Sequence, residues 1–148
     1  MIHVKNSVAS WLGVFCLLVS AGCDSITSGP NANIEFEDSI LGIQKGDQVY
    51  LLGAPVAEVG RASIVNGKAF VSVSLRDDNI FRPDQQVLFY IASDQQKPGR
   101  RCLVAVIHSL PAAAGKPRFR GFGSKTEMML RMAAEKAESW WKGLGISN

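Results

Sequence analysis

The sequence predicts a mainly-β domain, a small antiparallel β-barrel or sandwich, followed by one amphipathic α-helix. Three observations carry this. Short apolar runs punctuated by turn residues recur from Ile34 to His108, an Asn-Gly pair lies between two of them, and after Ser124 the hydrophobic period changes from two to that of a helix.

The runs follow in order. Val49-Tyr50-Leu51-Leu52 precedes a Gly53-Ala54-Pro55 turn, and Ala62-Ser63-Ile64-Val65 leads into Asn66-Gly67, from which Ala69 to Leu75 emerges. Asn-Gly between alternating runs is a strong hairpin signal, because both central residues of a type I′ turn need positive φ. In the second arm Val71, Val73 and Leu75 share one face and Phe70, Ser72 and Ser74 the other, so the valine face is expected to be core. Further strands are expected at Gln86 to Ala92 and Arg101 to Ser109. With no helix between them, such strands pack as a sandwich or close as a barrel.

Ser124-Lys125-Thr126-Glu127 is a capping box, in which a hydroxyl and a carboxylate satisfy amide donors at a helix start. Met129, Met132, Ala133, Ala137, Trp140, Trp141 and Leu144 then recur at helical spacing, opposite Glu127, Arg131, Glu135, Glu138 and Lys142. Gly143 and Gly145 end the pattern. The helix is placed at residues 124–143, after a linker at 110–123.

The opening segment has a different character. One cation, Lys5, is followed by an uncharged run from Val8 to Val19, and then Leu18-Val19-Ser20-Ala21-Gly22-Cys23 sets small residues before a cysteine. The layout is that of a secretory signal peptide over residues 1–22. Its end resembles the lipobox of bacterial lipoproteins, which implies cleavage before Cys23 and acylation of the Cys23 thiol. The mature chain is then anchored in the cell envelope, on the periplasmic face of a membrane. Asp24 resembles the signal that retains such proteins at the inner membrane. Residues 23–33, mostly Ser, Gly, Pro, Asn and Thr beyond the anchor, read as a flexible tether. About 125 residues remain after cleavage, enough for one domain with a real core, expected at residues 34–109.

Of three cysteines, Cys16 leaves with the signal peptide and Cys23 carries lipid. Cys102 is then the one remaining thiol, and no intramolecular disulfide can form. Leu103-Val104-Ala105-Val106-Ile107 follows it, so it reads as a small apolar strand residue despite Arg100 and Arg101 nearby.

Charge is unevenly divided. From Asp24 to Gln96 five cations face ten anions, and from Lys97 to Asn148 ten cations face three. A basic segment with two tryptophans suits anionic lipid headgroups. Nucleic acid is not an expected partner of an exported chain, and the chemistry-bearing residues point to no enzyme. His108 is the one histidine of the mature chain and sits in an apolar run, too few for a histidine metal site or an obvious triad. Asp77-Asp78-Asn79 reads as a solvated turn, and there is no glycine-rich phosphate loop. No metal and no cofactor is expected.

The order of features from Ile34 to His108 resembles the MCE (mammalian cell entry, MlaD-type) domain of lipid-transport systems. The residues that carry the resemblance are Phe36, the Leu41-Gly42-Ile43-Gln44-Lys45-Gly46 opening, the Pro55-Val56-Ala57-Glu58-Val59-Gly60-Arg61-Ala62 strand-turn-strand, Val71 to Leu75, Ile80-Phe81-Arg82-Pro83-Asp84, and Gly99 to Val106. It covers about half of the chain and rests on the spacing of many moderate signals rather than one diagnostic motif. The resemblance implies a seven-stranded β-barrel module, assembly into homo-oligomeric rings beside a transport permease, and a central pore through which lipid passes. Two departures stand out. Family members are usually held by a transmembrane helix rather than a lipid. Their pore-lining loop is usually apolar, whereas here it is Ser93-Asp94-Gln95-Gln96-Lys97-Pro98-Gly99-Arg100.

Two functions fit this reading. One is a non-enzymatic lipid-binding or trafficking subunit of an envelope transport system, with a phospholipid ligand held by Val87, Phe89 and Ile91 or by the Met129, Met132, Trp140 and Trp141 face. The other is a structural or adaptor lipoprotein that docks other envelope proteins and binds no lipid.

Overall fold

The computed structural model describes residues 30–108 and 118–144. The signal peptide, Cys23, Asp24, most of the tether and residues 110–117 of the expected linker lie outside these. Seven strands and one helix follow in chain order: β1 (Asn31–Phe36), β2 (Gln48–Leu51), β3 (Ala54–Val65), β4 (Lys68–Leu75), β5 (Gln86–Ser93), β6 (Arg101–His108), β7 (Phe119–Phe122) and α1 (Lys125–Gly143).

The strands close into a barrel in the order β1-β4-β3-β2-β6-β5-β7. Closure removes sheet edges that would otherwise pair with other chains. The fold is thus the barrel rather than the sandwich, with its helix following as expected. The strand directions are mixed: β1/β4, β3/β4, β2/β3 and β5/β6 are antiparallel, while β2/β6, β5/β7 and β1/β7 are parallel. Hairpin signals between consecutive runs reveal antiparallel neighbours only, so the parallel seams had no local sequence mark.

The Asn66-Gly67 hairpin forms as its chemistry demands, with φ of 53° and 76° and Val65 opposite Lys68. Its valine face is core: Val71 and Val73 are fully buried, and Leu75 nearly so. With Val49, Val59, Val87, Phe89 and Leu103 they fill the barrel interior. Phe81, Phe89 and Phe119 meet edge to face at centroid distances of 5.7–6.0 Å within this interior. Arg118 fastens the segment that carries Phe81. Its Nη2 donates to the carbonyls of Phe81 (2.9 Å) and Arg82, and its Nε to that of Gln85 (3.3 Å).

The domain limits shift at both ends. Asn31 to Asn33, assigned to the tether, begin β1, where Asn31 pairs with Ser74. Phe119 to Phe122, assigned to the linker, are the strand that closes the ring. Four residues are too few to display a period, and their partners lie far away in sequence. The strand needs Gly121 because a Cβ there would lie 2.5 Å from atoms of the Phe36 ring. Phe36 therefore packs on bare backbone across the β1/β7 seam.

Ser124 caps α1, its Oγ accepting from the Glu127 amide at 3.2 Å. Glu127 Oε2 returns to the Gly123 amide at 3.1 Å, one residue earlier than the standard box. The helix packs on the outer face of β5 and β7 through Met128, which joins Leu88 and Phe122 in a second cluster flanked by Tyr90, Val106 and Met132. Among the described residues no helix is long and apolar enough to cross a membrane.

Candidate functional site

The two groups of ligand candidates have opposite fates. Side chains alternate across β5, so Val87, Phe89 and Ile91 point inward while Leu88, Tyr90 and Ala92 point out. Val87 and Phe89 are fully buried and Ile91 is 8% exposed, all packed into the interior cluster. They are packing residues, and a ligand could reach them only by displacing core, so this part of the expected contact set is withdrawn. The signal misread was hydrophobicity itself, which marks a sealed core and an apolar binding surface alike.

The helix candidates stay at the surface. Met132 is half-buried against the second cluster, whereas Met129 is 57%, Trp140 70% and Trp141 58% exposed. Leu130 and Leu144 are also exposed. The reason is that α1 carries two apolar stripes. Met128 and Met132, four residues apart, form the one that meets the barrel. The other runs along a different side, where Ala133, Lys136, Ala137, Trp140, Trp141 and Leu144 line a shallow apolar concavity. From Lys136 to Leu144 every residue is exposed, so this half of α1 projects beyond the barrel packing.

What holds α1 in that pose is a buried guanidinium. Arg120, on β7 and 6% exposed, donates from Nε (3.1 Å) and Nη2 to Glu37 and from Nη1 to Glu135 of α1 at 2.9 Å. Arg131 of α1 also pairs with Glu37, at 3.4 Å. Burial by itself would lower the Arg120 pKa, but hydrogen bonds and charge from Glu37 and Glu135 prevail and raise it above its ordinary value. Sequence reasoning missed this latch because the partners are separated by up to 83 residues.

The polar loop between β5 and β6 is built as carefully as the core. The Asp94 amide donates to the Arg100 carbonyl (2.9 Å) and the Arg100 amide to that of Lys97 (3.0 Å). Asp94 Oδ1 accepts from the amides of Gln96 (2.8 Å) and Lys97 (3.3 Å) and from the Tyr50 hydroxyl (3.3 Å). Arg100 donates from Nε (2.9 Å) and Nη2 (2.6 Å) to Asp47 Oδ1, whose side chain is 1% exposed, and Asp47 Oδ2 accepts from the Gln44 amide. The loop is thereby tied to the turn before β2.

Cys102 lies beneath this loop, 3% exposed, in keeping with its reading as a small strand residue. Burial, then the negative charges of Asp94 and Asp47, push its pKa up, which keeps the thiol protonated and disfavours nucleophilic chemistry. Burial also raises the Tyr50 pKa, with Asp94 adding to it. Among the described residues no cluster of His, Cys, Asp and Glu could hold a metal ion.

No family model and no curated protein matches this chain. Among solved structures, it is similar to a chain of the Acinetobacter MlaFEDB complex in its ATP-bound Vtrans1 conformation. The identity is 10% and the TM-score 0.41, over 70% of this chain and 82% of that one. That is a loose likeness of shape from which no function follows.

Proposed function

We propose that this chain is a membrane-anchored periplasmic lipoprotein with an MCE-like barrel, acting without catalysis as a lipid-binding or trafficking subunit of an envelope transport system. The observation that carries the reading is the apolar face of α1 that none of the described residues covers, with Trp140, Trp141 and Leu144 exposed on a domain whose own interior is full. Large aromatic side chains left in water are costly, and they suit a surface that meets acyl chains or another apolar partner. The lipid on Cys23 holds the domain at the membrane, with the inner membrane favoured by Asp24. The partners of this reading are a transport permease and further copies of the chain in a ring.

The test is to express residues from Asp24 onward without the anchor, measure the solution mass by light scattering, and extract bound phospholipid. A ring-sized particle carrying lipid is the expected result. A lipid-free monomer would remove the transport reading and leave the adaptor, which captures envelope proteins instead.

A further inference from the structure

The strand directions sort the exposed apolar residues by end of the barrel. β1, β3, β5 and β7 run one way and β2, β4 and β6 the other. The end at which β1 starts therefore also carries the turn of Leu52 and Gly53 between β2 and β3, the last residues of β6 and the start of β7. The chain from Cys23 enters the barrel here, where the Leu75 amide donates to the Pro30 carbonyl at 3.0 Å.

α1 points to the same end. It starts at the far end, directly after β7, with Met128 against Phe122, and reaches Arg120, nearer the start of that strand, through Glu135. Helix and strand thus run antiparallel. The residues from Lys136 to Leu144, all exposed, carry α1 about 13 Å further in that direction.

The tether end thereby gathers Leu52, Ile107, Trp140, Trp141 and Leu144, all exposed. Leu52 is 97% exposed and held at φ 51°, a left-handed conformation uncommon for leucine. Charge there is mixed, with Arg76 beside Asp77 and Asp78 and Lys142 paired to Glu138, so apolar contact rather than charge would drive docking.

The far end exposes Leu41 and Ile64 as well, but they line a concavity that also holds Glu35, Glu37 and Asp38. Carboxylates are costly to press against an apolar phase. Chain length separates the two ends further. The seven steps from Cys23 to Pro30 span at most about 25 Å. Eight-residue strands such as β5, tilted as in a closed barrel, stand about 20 Å tall. A barrel standing on its far end would need nearly the whole tether stretched along its side.

We propose that the tether end rests on the bilayer, with Leu52 and the Trp140, Trp141 and Leu144 face of α1 seated in the headgroup region. This rests on the reading of Cys23 as the anchor. Tryptophan suits that depth, its ring meeting acyl chains while its N–H stays hydrated. The occupant of the apolar face is then the membrane itself, and the lipid and the helix hold the domain in one orientation.

The chain carries its own probe, because Trp11→Phe leaves tryptophan only at 140 and 141. The full chain with that change is reconstituted in phosphatidylcholine vesicles whose acyl chains are brominated close to the ester. Emission should fall at least about twofold against unbrominated vesicles, since an interfacial helix sits about 5–10 Å into the headgroup boundary. With Trp140→Phe and Trp141→Phe added, Leu52→Trp should be quenched likewise and Ile64→Trp should not.

Unquenched Trp140 and Trp141, unquenched Leu52→Trp, or a quenched Ile64→Trp would each overturn the proposal. The Leu52→Trp arm separates a bilayer from a single phospholipid held on α1, which would quench the helix alone. The mass of the purified chain reads the anchor independently. A lipid-bearing chain with unquenched tryptophans sinks this orientation and keeps the anchor, whereas quenching in a chain without lipid keeps the docked face and sinks the anchored reading.

Discussion

The barrel interior and the outer half of α1 draw on the same kinds of apolar residue but use them differently. Inside, Val71, Val73, Val87, Phe89 and Leu103 are each consumed by neighbours across a closed ring of strands. On α1, Met128 alone is buried, while Trp140, Trp141 and Leu144 face outward. The difference teaches where a ligand can go. A filled seven-stranded barrel has no lumen to offer, so any apolar cargo must meet its outside, where α1 with its C-cap exposes Met129, Leu130, Trp140, Trp141 and Leu144.

The comparison breaks first at Phe89. If the interior is true core, Phe89→Ala should cost about 4 kcal/mol of unfolding free energy in a urea titration, because the surrounding rings cannot collapse into the space. A loss near zero would mean that the interior is loose enough to admit a ligand. Next comes the latch between the two regions. Arg120→Ala leaves Glu37 and Glu135 without their shared partner, but both keep contact with water, so the expected cost is about 2 kcal/mol rather than the full value of a broken buried pair. Hydrogen exchange should show α1 amides losing protection before those of β5 and β6, whereas uniform loss would mean that barrel and helix unfold as one unit.

Smaller effects sharpen the picture. The folded-state pKa of Cys102 lies above its unfolded value, so from about pH 8.5 the unfolded thiol ionises before the folded one. The unfolded chain then binds fewer protons than the folded one. Stability is therefore fully present below that range and falls as pH rises through it, a slope that Cys102→Ala should flatten in melts between pH 8 and 10. In the same range the native thiol should resist a disulfide reagent until urea unfolds the barrel. Smallest of all is the effect of Trp140→Ala with Trp141→Ala on stability, expected within about 0.5 kcal/mol because both are exposed. A large loss in the same pair would show that the outer half of α1 is packed in solution.

Much of this was legible in the residues. The Asn66-Gly67 hairpin, the valine face of β4 and the cap at Ser124 are local codes, read within a few positions. What escaped depended on distance. The seam of β7 with β1 rests on Gly121 meeting Phe36, and the α1 latch rests on Arg120 meeting Glu37; neither pair shares a period or a motif. The candidate site was half legible for a related reason. Alternation placed Val87, Phe89 and Ile91 together on one face, but only closure of the ring decides that this face is interior. The helix pattern did mark Trp140 and Trp141, although Met132 belongs to the stripe that docks. Asp94 reads in the sequence as one more polar loop residue, because the three hydrogen bonds that its buried Oδ1 accepts are a product of packing.

The most direct test of the account is to photo-crosslink the full chain with a phospholipid that carries a photoreactive acyl chain and to map the labelled residues by mass spectrometry. The account predicts label on the exposed face of α1, between Met129 and Leu144, and none on Val87, Phe89 or Ile91. Label on those three strand residues, or no label anywhere on the chain, would contradict it.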